Sequence, residues 1–227
     1  SHVMKILTRN VNGIRAVIKK WFVDIMQVEQ PDVLCLQETK AFSHQMPPEI
    51  WLTALPNICR HAWQRPVYAG TAILSKDPRN QQCNTFSHSP KFDEDGRVTE
   101  VEYDDFVLIN CYFPNGGTRA DGTEMLSYKL SFYDELAAYI LDKKSQGKEV
   151  IVTWDFNICH TEIDIARPKE NETSIWFLPI ERKRIGDFMA ECGLTDMFRH
   201  FYPDMTDEYS WWSYRAGARP RNVGRRL

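Results

Sequence analysis

Four apolar runs of this chain, each rich in β-branched residues, stop on a polar side chain, and that repeated pattern constrains the fold most. Lys5–Asn10 (KILTRN) ends in Asn10, Asp32–Glu38 (DVLCLQE) in Glu38, Phe106–Tyr112 (FVLINCY) in Tyr112 and Val150–Asp155 (VIVTWD) in Asp155. Short apolar runs bounded by turn signals read as buried strands. Thr71–Ser75 is a shorter fifth. Arg97–Tyr103 alternates apolar and polar residues ahead of Asp104-Asp105, which predicts a hairpin into the 106–112 strand. Helical periodicity fills the gaps: Ala16–Gln30, closed by Pro31, Ser127–Lys144, stopped by Gly147, and Glu181–Cys192, stopped by Gly193. Strands interleaved with helices give an α/β or α+β layer fold, and the 97–112 hairpin breaks a purely parallel pattern. The expected architecture is therefore two mixed sheets packed face to face with helices outside.

A chain of 227 residues, 43% of them hydrophobic, is long enough to bury one sizeable core. No apolar run approaches the roughly 18–20 residues needed to span a bilayer, and no secretory leader opens the sequence. Ser1–Val3 reads as a cloning remnant before Met4, so the expected domain runs over residues 5–227. The six cysteines are dispersed without a Cys-x-x-Cys pair, which predicts reduced thiols and an intracellular, unsecreted protein. The net charge of −3 does not advertise a polyanion binder, but the last thirteen residues carry five arginines and no acid. Such a run reads first as a solvated tail, and second as a phosphate contact, because a guanidinium matches phosphate oxygens in a fork.

Read together, Asn10, Glu38, Tyr112, Asp155 and Asn157 are oxygen-bearing groups at the carboxyl ends of strands. Each alone has an ordinary reading as a turn residue. If the ends converge, the set suits a hard divalent cation, Mg²⁺ or Mn²⁺, that keeps waters and is completed by substrate phosphate.

Six ordered motifs then carry a resemblance. They are Asn10-Val-Asn-Gly-Ile-Arg-Ala16; Leu36-Gln-Glu-Thr-Lys40; Tyr112-Phe-Pro-Asn-Gly116; Asp155-Phe-Asn157 with His160-Thr-Glu-Ile-Asp164; Phe177-Leu-Pro179 with Glu181-Arg182; and Trp211-Trp-Ser-Tyr-Arg215 with Arg221-Asn-Val-Gly224. Together the chain closely resembles the exonuclease III family of apurinic/apyrimidinic endonucleases, of the endonuclease/exonuclease/phosphatase superfamily. The resemblance implies a four-layer α/β sandwich and Mg²⁺-dependent hydrolysis of DNA phosphodiesters. The implied task is incision 5′ to abasic sites, with 3′-exonuclease or 3′-phosphodiesterase activity beside it. The implied partner is double-stranded DNA with abasic or damaged 3′ ends, handled by a cytoplasmic or nuclear monomer. Glu38 matches the principal metal ligand, with Asn10 and Asn12 close to the metal. Asp155 matches the carboxylate that positions or activates water, and Asn157 and Tyr112 match groups that hold the phosphate. Asn115, Arg167, Arg215, Arg221 and Asn222 match DNA-contacting positions. Trp211 and Trp212 match the wall of the pocket for an extruded sugar, which a base-free nucleotide enters at little unstacking cost.

Several positions depart from the family. Trp21, Trp154 and Trp176 stand where glycine is usual, Arg184 and Arg225 where tryptophan is expected, and Arg9 where an aromatic or small residue is common. The chain also stops at Leu227, ahead of the family's second strand-end Asp and terminal Asp-His pair, so the expectation is a fragment of a longer parent. His160 matches a structural position and is not a catalytic candidate. Impaired activity is expected from these departures. The alternatives are a non-catalytic DNA-binding relative and, from another branch, a lipid or inositol phosphoesterase, against which the Trp-Trp-Ser-Tyr-Arg and Asn-Val-Gly segments argue.

Overall fold

The structure, a computed structural model, describes residues 4–12, 14, 23–40, 55, 57–61, 69–76, 82–85, 92, 96–208, 210–212, 221–222 and 224–227. Trp21, Arg215 and the first part of the expected 16–30 helix lie outside these residues. The chain divides into two compact units, Ser1–Tyr112 with Lys143–Asp155, and Phe113–Asp142 with Phe156–Leu227.

The first unit holds two four-stranded sheets. The strands of one are β1 (Ile6–Asn10), β2 (Val33–Gln37), β3 (Asn57–His61) and β4 (Thr71–Ser75), in the order β1-β2-β4-β3. The strands of the other are β5 (Gln82–Thr85), β6 (Val98–Glu102), β7 (Phe106–Tyr112) and β8 (Glu149–Asp155), in sequential order. Both sheets are mixed for the same reason. A helix, α1 (Val23–Glu29), intervenes between β1 and β2, which are parallel. A second, α2 (Leu126–Ser145), intervenes between β7 and β8, also parallel. Parallel neighbours need such a crossover, whereas the short Asp104-Asp105 connection leaves β6 and β7 antiparallel, closed by Tyr103 N–H donating to Phe106 O at 2.8 Å.

Alternation along β2 explains its unbroken apolar run. Val33 and Cys35 pack with Cys59, Ile73, Val101 and Leu108 between the two sheets. Leu34 and Leu36 face the other way, into a cluster with Leu74, Leu55 and Met26 of α1. A strand buried on both faces has no polar side to show. The expected pair of mixed sheets packed face to face is present in this unit.

Cysteine usage needs one correction. Cys35, Cys111, Cys159 and Cys192 are free and buried, and burial pushes the Cys35 and Cys159 thiols up to about 12. Cys59, placed by the short strand β3, is instead disulfide-bonded, so reduced thiols do not describe all of the cysteines. Among the described residues, no helix is long and apolar enough to cross a membrane.

The second unit is built around aromatic rings. Phe113 stacks on Tyr133 at 4.4 Å between centroids and meets Phe132 edge-on at 5.2 Å, with Phe156 and Phe188 closing the cluster. Phe188 lies on α3 (Pro179–Cys192), which begins two residues before the sequence pattern because Pro179 suits the first helical turn. A short helix, α4 (Met197–Phe201), follows, its first turn capped by the Asp196 carboxylate. Two-residue strands β9 (Trp211–Trp212) and β10 (Gly224–Arg225) pair antiparallel.

A charge network ties the end of the chain to this unit. Asp164, only 1% exposed, accepts from Arg199 Nη2 at 2.6 Å, Arg226 Nε at 2.9 Å and Thr161 Oγ1 at 2.8 Å. Arg226 also donates to Asp196 at 2.6 Å, and its backbone N–H to Asp164 O at 2.7 Å. Arg225 lies over the Trp176 ring, its guanidinium carbon 3.6 Å from the centroid. Two of the tail's arginines, Arg225 and Arg226, thus have partners inside the protein, so the reading as a solvated or phosphate-binding run does not extend to them. The arginines themselves carried no sign of these partners, the farthest of which, Asp164, lies 62 residues back from Arg226 in the sequence.

Burial alone would raise the Asp164 carboxyl, but the hydrogen bond from Arg199, the charge of Arg226 and the Thr161 hydroxyl outweigh it and hold it below the usual carboxylate value. A carboxylate with a lowered folded value contributes stability that is complete above its unfolded value of about 4. That contribution is lost as pH falls through the folded value. Asp164→Asn is therefore expected to cost about 1.5–3 kcal/mol at neutral pH, by taking from Arg199 its carboxylate and from Arg226 one of its two. It should also flatten the acid limb of a urea-midpoint-against-pH curve. An unchanged acid limb would show that acid sensitivity resides elsewhere.

Candidate active site

The ends of four strands meet within the first unit. Asn10, last residue of β1, donates from Nδ2 to Glu38 Oε1 at 3.1 Å and to Asp155 Oδ2 at 2.8 Å. The Tyr112 phenol, at the end of β7, lies within the field of the Glu38 and Asp155 carboxylates, which, after burial, raise its pKa. Asn10, Glu38, Tyr112 and Asp155 therefore form one cluster, as convergence of the strand ends requires. Asn12 joins it at one remove, through Lys40 Nζ, which donates to Asn12 Oδ1 at 2.7 Å and lies 3.0 Å from Glu38 Oε2.

The cluster is held from beneath by a buried polar layer. Asn110, fully buried on β7, donates to Leu36 O at 2.8 Å and Ala72 O at 3.0 Å, both on the opposite sheet. Its Oδ1 accepts from Gln37 Nε2 at 2.7 Å and Thr153 Oγ1 at 3.2 Å. Gln37 donates in turn to Thr8 at 2.8 Å. Thr8, Asn110 and Thr153 each precede a site residue by two, and side chains two apart on a strand share a face. The layer therefore fixes the strands that carry Asn10, Tyr112 and Asp155.

Glu38 follows Gln37 by one, and regular alternation would turn it to the opposite face. It instead has φ 55°, and Lys40 has φ 50°. Such left-handed backbone costs a non-glycine residue on the order of 1 kcal/mol or more, and it breaks the alternation. The turn is pinned by Thr39 N–H to Gly70 O at 3.1 Å and Lys40 N–H to Ala69 O at 2.9 Å. Gly70 has φ 105°, and a Cβ there would fall 2.3 Å from Thr39 Oγ1, so no larger residue fits.

The electrostatics follow from two carboxylates sharing this cluster. Burial, then the charges of Glu38 and Asp155, push the Tyr112 phenol well above its ordinary value, against the Arg97 guanidinium, which lowers it. Tyr112 therefore remains a neutral donor at any physiological pH. Arg97, 8% exposed, reaches Tyr112 O at 3.3 Å and lies 5.3 Å from its ring centroid. Asn10 turns its Nδ2 toward both carboxylates while its Oδ1 accepts from Asn12 N–H, so Glu38 is the group here that offers charge to a hard divalent cation. Lys40, whose ammonium lies against Glu38, shows that the carboxylate attracts positive charge.

Asn115 and Asn157 are found in the second unit. Asn115 is exposed, and its Oδ1 accepts from Gly117 N–H at 3.2 Å. Asn157 is 7% exposed, has φ 53° and donates from Nδ2 to Phe113 O at 2.7 Å. Arg167 is exposed, with φ 53°, at the start of the 3-10 turn Pro168–Asn171. Arg221 and Asn222 are exposed, and Asn222 Nδ2 donates to Asp207 O at 2.9 Å. Trp211 and Trp212 are placed in β9, and Arg215 lies outside the described residues. The structure does not bring Arg167, Arg221 and Asn222 into a single hydrogen-bonded set among the described residues. His160, expected to be structural, is half-buried. Burial, with Arg182 and Arg226, lowers its pKa against the opposing pull of Asp164 and Asp196, so it is neutral at pH 7.

Trp154 raises the question of blockage beside Asp155. Thr153 and Asp155 both point to the polar layer, so alternation sends the half-buried Trp154 ring to the other face. Lys40, Arg97, Gln37 and Asn110 were not among the expected site residues. A polar residue inside an apolar strand run was the available signal for Gln37 and Asn110.

The endonuclease/exonuclease/phosphatase family model matches residues 7–227. The chain is 38% identical to an exodeoxyribonuclease of Bacillus subtilis, in an alignment covering 99% of this chain and 86% of that one. It is 39% identical to a DNA-(apurinic or apyrimidinic site) endonuclease of Dictyostelium discoideum, covering 99% of this chain and 61% of that longer protein. Among solved structures, an AP endonuclease from Archaeoglobus fulgidus superposes with a TM-score of 0.83 at 25% identity, over 99% of this chain and 84% of that one.

The polar layer yields a direct test. Asn110→Leu, which keeps the branched skeleton but is bulkier and apolar, removes a partner from the Gln37 and Thr153 side chains and from two backbone carbonyls. Each buried polar group left without a partner costs about 1–3 kcal/mol, so urea unfolding should report a loss of roughly 3 kcal/mol or more. A loss under about 1 kcal/mol would mean that the sheets hold register without this side chain.

Proposed function

The chain belongs to the endonuclease/exonuclease/phosphatase family, and from that premise we propose that it is a divalent-metal-dependent DNA-repair nuclease. Its proposed reaction is hydrolysis of the phosphodiester 5′ to an abasic site in double-stranded DNA, with Mg²⁺ as the metal and Mn²⁺ as a substitute. The same hydrolysis at a damaged 3′ end is its proposed second activity. The observation that carries this reading is the hydrogen-bonded set of Asn10, Glu38 and Asp155 at converging strand ends, with the Tyr112 phenol in the field of the two carboxylates.

In the proposed mechanism Glu38 holds the metal, with Asn10 and Asn12 beside it, and the bound cation supplies positive charge to the phosphate oxygens. Asp155 orients a water and takes its proton as the oxygen attacks phosphorus. Asn10, donating to Asp155 Oδ2, fixes that carboxylate's rotamer. Tyr112, kept neutral by its surroundings, donates to a phosphate oxygen, and Asn157 holds the same phosphate with Asn115 beside it. The bond from phosphorus to the upstream 3′ oxygen breaks and that oxygen takes a proton from solvent water, leaving a 3′-hydroxyl and a 5′-phosphate on the abasic sugar. Trp211 and Trp212 are proposed to wall the pocket for that sugar, with Arg167, Arg215, Arg221 and Asn222 on the DNA backbone.

The test is incision of a duplex carrying one abasic-site analogue, with Mg²⁺ and with EDTA. The expected result is a nick 5′ to the lesion that EDTA abolishes. Asp155→Ala should lower kcat by about 10²–10⁴-fold, the usual contribution of a positioned general base. Glu38→Ala should raise the metal concentration needed for half-maximal rate. Binding without any nick would favour a non-catalytic DNA-binding relative and overturn the hydrolase reading.

A further inference from the structure

The polar group most deeply enclosed in the second unit belongs to neither of the sets above. Lys129, on α2, has no solvent exposure, and neither has Glu181, the carboxylate with which it forms an ion pair. A lysine ammonium carries three N–H donors. Here they meet Glu181 Oε2, Asn157 O at 2.7 Å and Asn115 O at 2.9 Å. The two carbonyls belong to the two asparagines assigned above to the phosphate.

The surroundings fix this arrangement from every side. One helical turn after Lys129, the Tyr133 hydroxyl donates to Phe156 O at 3.0 Å, so one face of α2 grips two consecutive carbonyls. The Asn157 side chain closes the turn by donating to Phe113 O at 2.7 Å. Gly116, beside Asn115, has φ 83°, and a Cβ there would fall 2.6 Å from Lys129 Cδ, so the Asn115 turn lies directly on the lysine stem. Glu181 stands in the first turn of α3, where the helix dipole favours a negative charge, and its other oxygen accepts from Leu178 N–H at 3.3 Å.

A buried ion pair is a weak device for stability alone, since apolar residues of similar volume often do as well or better. What an apolar pair cannot do is hold two backbone carbonyls from different segments at a fixed separation. We propose that Lys129, paired with Glu181, is a positioning residue that sets where the Asn115 and Asn157 side chains stand, and through them where the phosphate is held. The proposal rests on the reading of those asparagines given under Proposed function. Asn157 lies in the left-handed region at φ 53°, a conformation that relaxes unless its neighbours fix it.

The decisive variant is Lys129→Met/Glu181→Leu, which removes both charges together and leaves neither buried alone. Its first readout is the NMR side-chain amide signals of Asn115 and Asn157, with those of Asn10 and Asn110 as reference. The first pair should shift or broaden while the reference pair stays in place. Unmoved Asn115 and Asn157 signals would overturn the proposal. The second readout is kinetic: kcat on the abasic duplex should fall by about 10–100-fold, as small misplacements of positioning groups do, with KM changed by less than about 3-fold. An unchanged kcat in a folded variant would likewise overturn it. Should that variant not fold, the unaltered chain gives the answer. The Lys129 ammonium protons should exchange slowly and show couplings to the Asn115 and Asn157 carbonyls, and rapid surface-like exchange would overturn the proposal. Failure of the unaltered chain to incise DNA counts against the nuclease reading alone, because the amide signals decide the positioning separately.

Discussion

One buried carboxamide, that of Asn110, ties the two sheets of the first unit together. It donates to carbonyls of β2 and β4 on the opposite sheet and accepts from Gln37 and Thr153. Apolar packing between sheets is tolerant of small slips, but a set of hydrogen bonds with fixed directions is not. Because Thr8, Asn110 and Thr153 stand one pleat below Asn10, Tyr112 and Asp155, a registered polar layer becomes a registered site. Asn10, Tyr112 and Asp155 therefore inherit their geometry from strands, the more exact way to hold reacting groups, while Glu38 is set by the turn pinned to Ala69 and Gly70.

The two units solve the problem of holding polar groups differently. In the first, neutral amides and hydroxyls form the supporting layer, and the charges of Glu38, Asp155 and Lys40 lie at the partly exposed strand ends. In the second, charge itself is buried: Lys129 with Glu181, and Asp164 between Arg199 and Arg226. A neutral layer beneath Glu38 and Asp155 adds no charge of its own, although the Arg97 guanidinium lies beside Tyr112 in the same unit. A charged support has a different use, since a charge-assisted hydrogen bond to a carbonyl is shorter and stiffer than a neutral one.

Much of this was legible in the sequence where local pattern and tertiary role coincide. The apolar runs of β2, β4 and β7 announced buried strands, and the polar residues ending the runs of β1, β2, β7 and β8 announced the cluster. The pattern was silent where pairing alone makes the element. Asn57–His61 and Gln82–Thr85 carry no apolar alternation, and they are strands because β4 and β6 offer them edges. Lys129 was equally hidden: within the Ser127–Lys144 pattern a lysine reads as part of the solvated face, and its burial depends on Glu181, fifty-two residues on. The arginines of the tail looked like a phosphate-binding run because charge counting cannot see Asp164 or the Trp176 ring.

The departures at Trp176 and Arg225 have a physical account that treats them as one. Trp176 has φ 76°, a backbone that favours glycine, and its ring packs against the cluster of Cys159, Ile165 and Phe177. Position 225, where a tryptophan was expected, carries a guanidinium 3.6 Å from the centre of that ring. An indole has therefore been supplied from the glycine-preferring position while its usual position supplies the cation that stacks on it. A cation over an indole face regains about 0.5–2 kcal/mol, comparable to the backbone cost of the left-handed residue. The stack also bears on β10, because Arg225 bridges to Ile165 and its carbonyl accepts from Ser210 N–H at 3.0 Å. The Trp176 ring is thus linked through Arg225 to β10, the strand that pairs with Trp211 and Trp212.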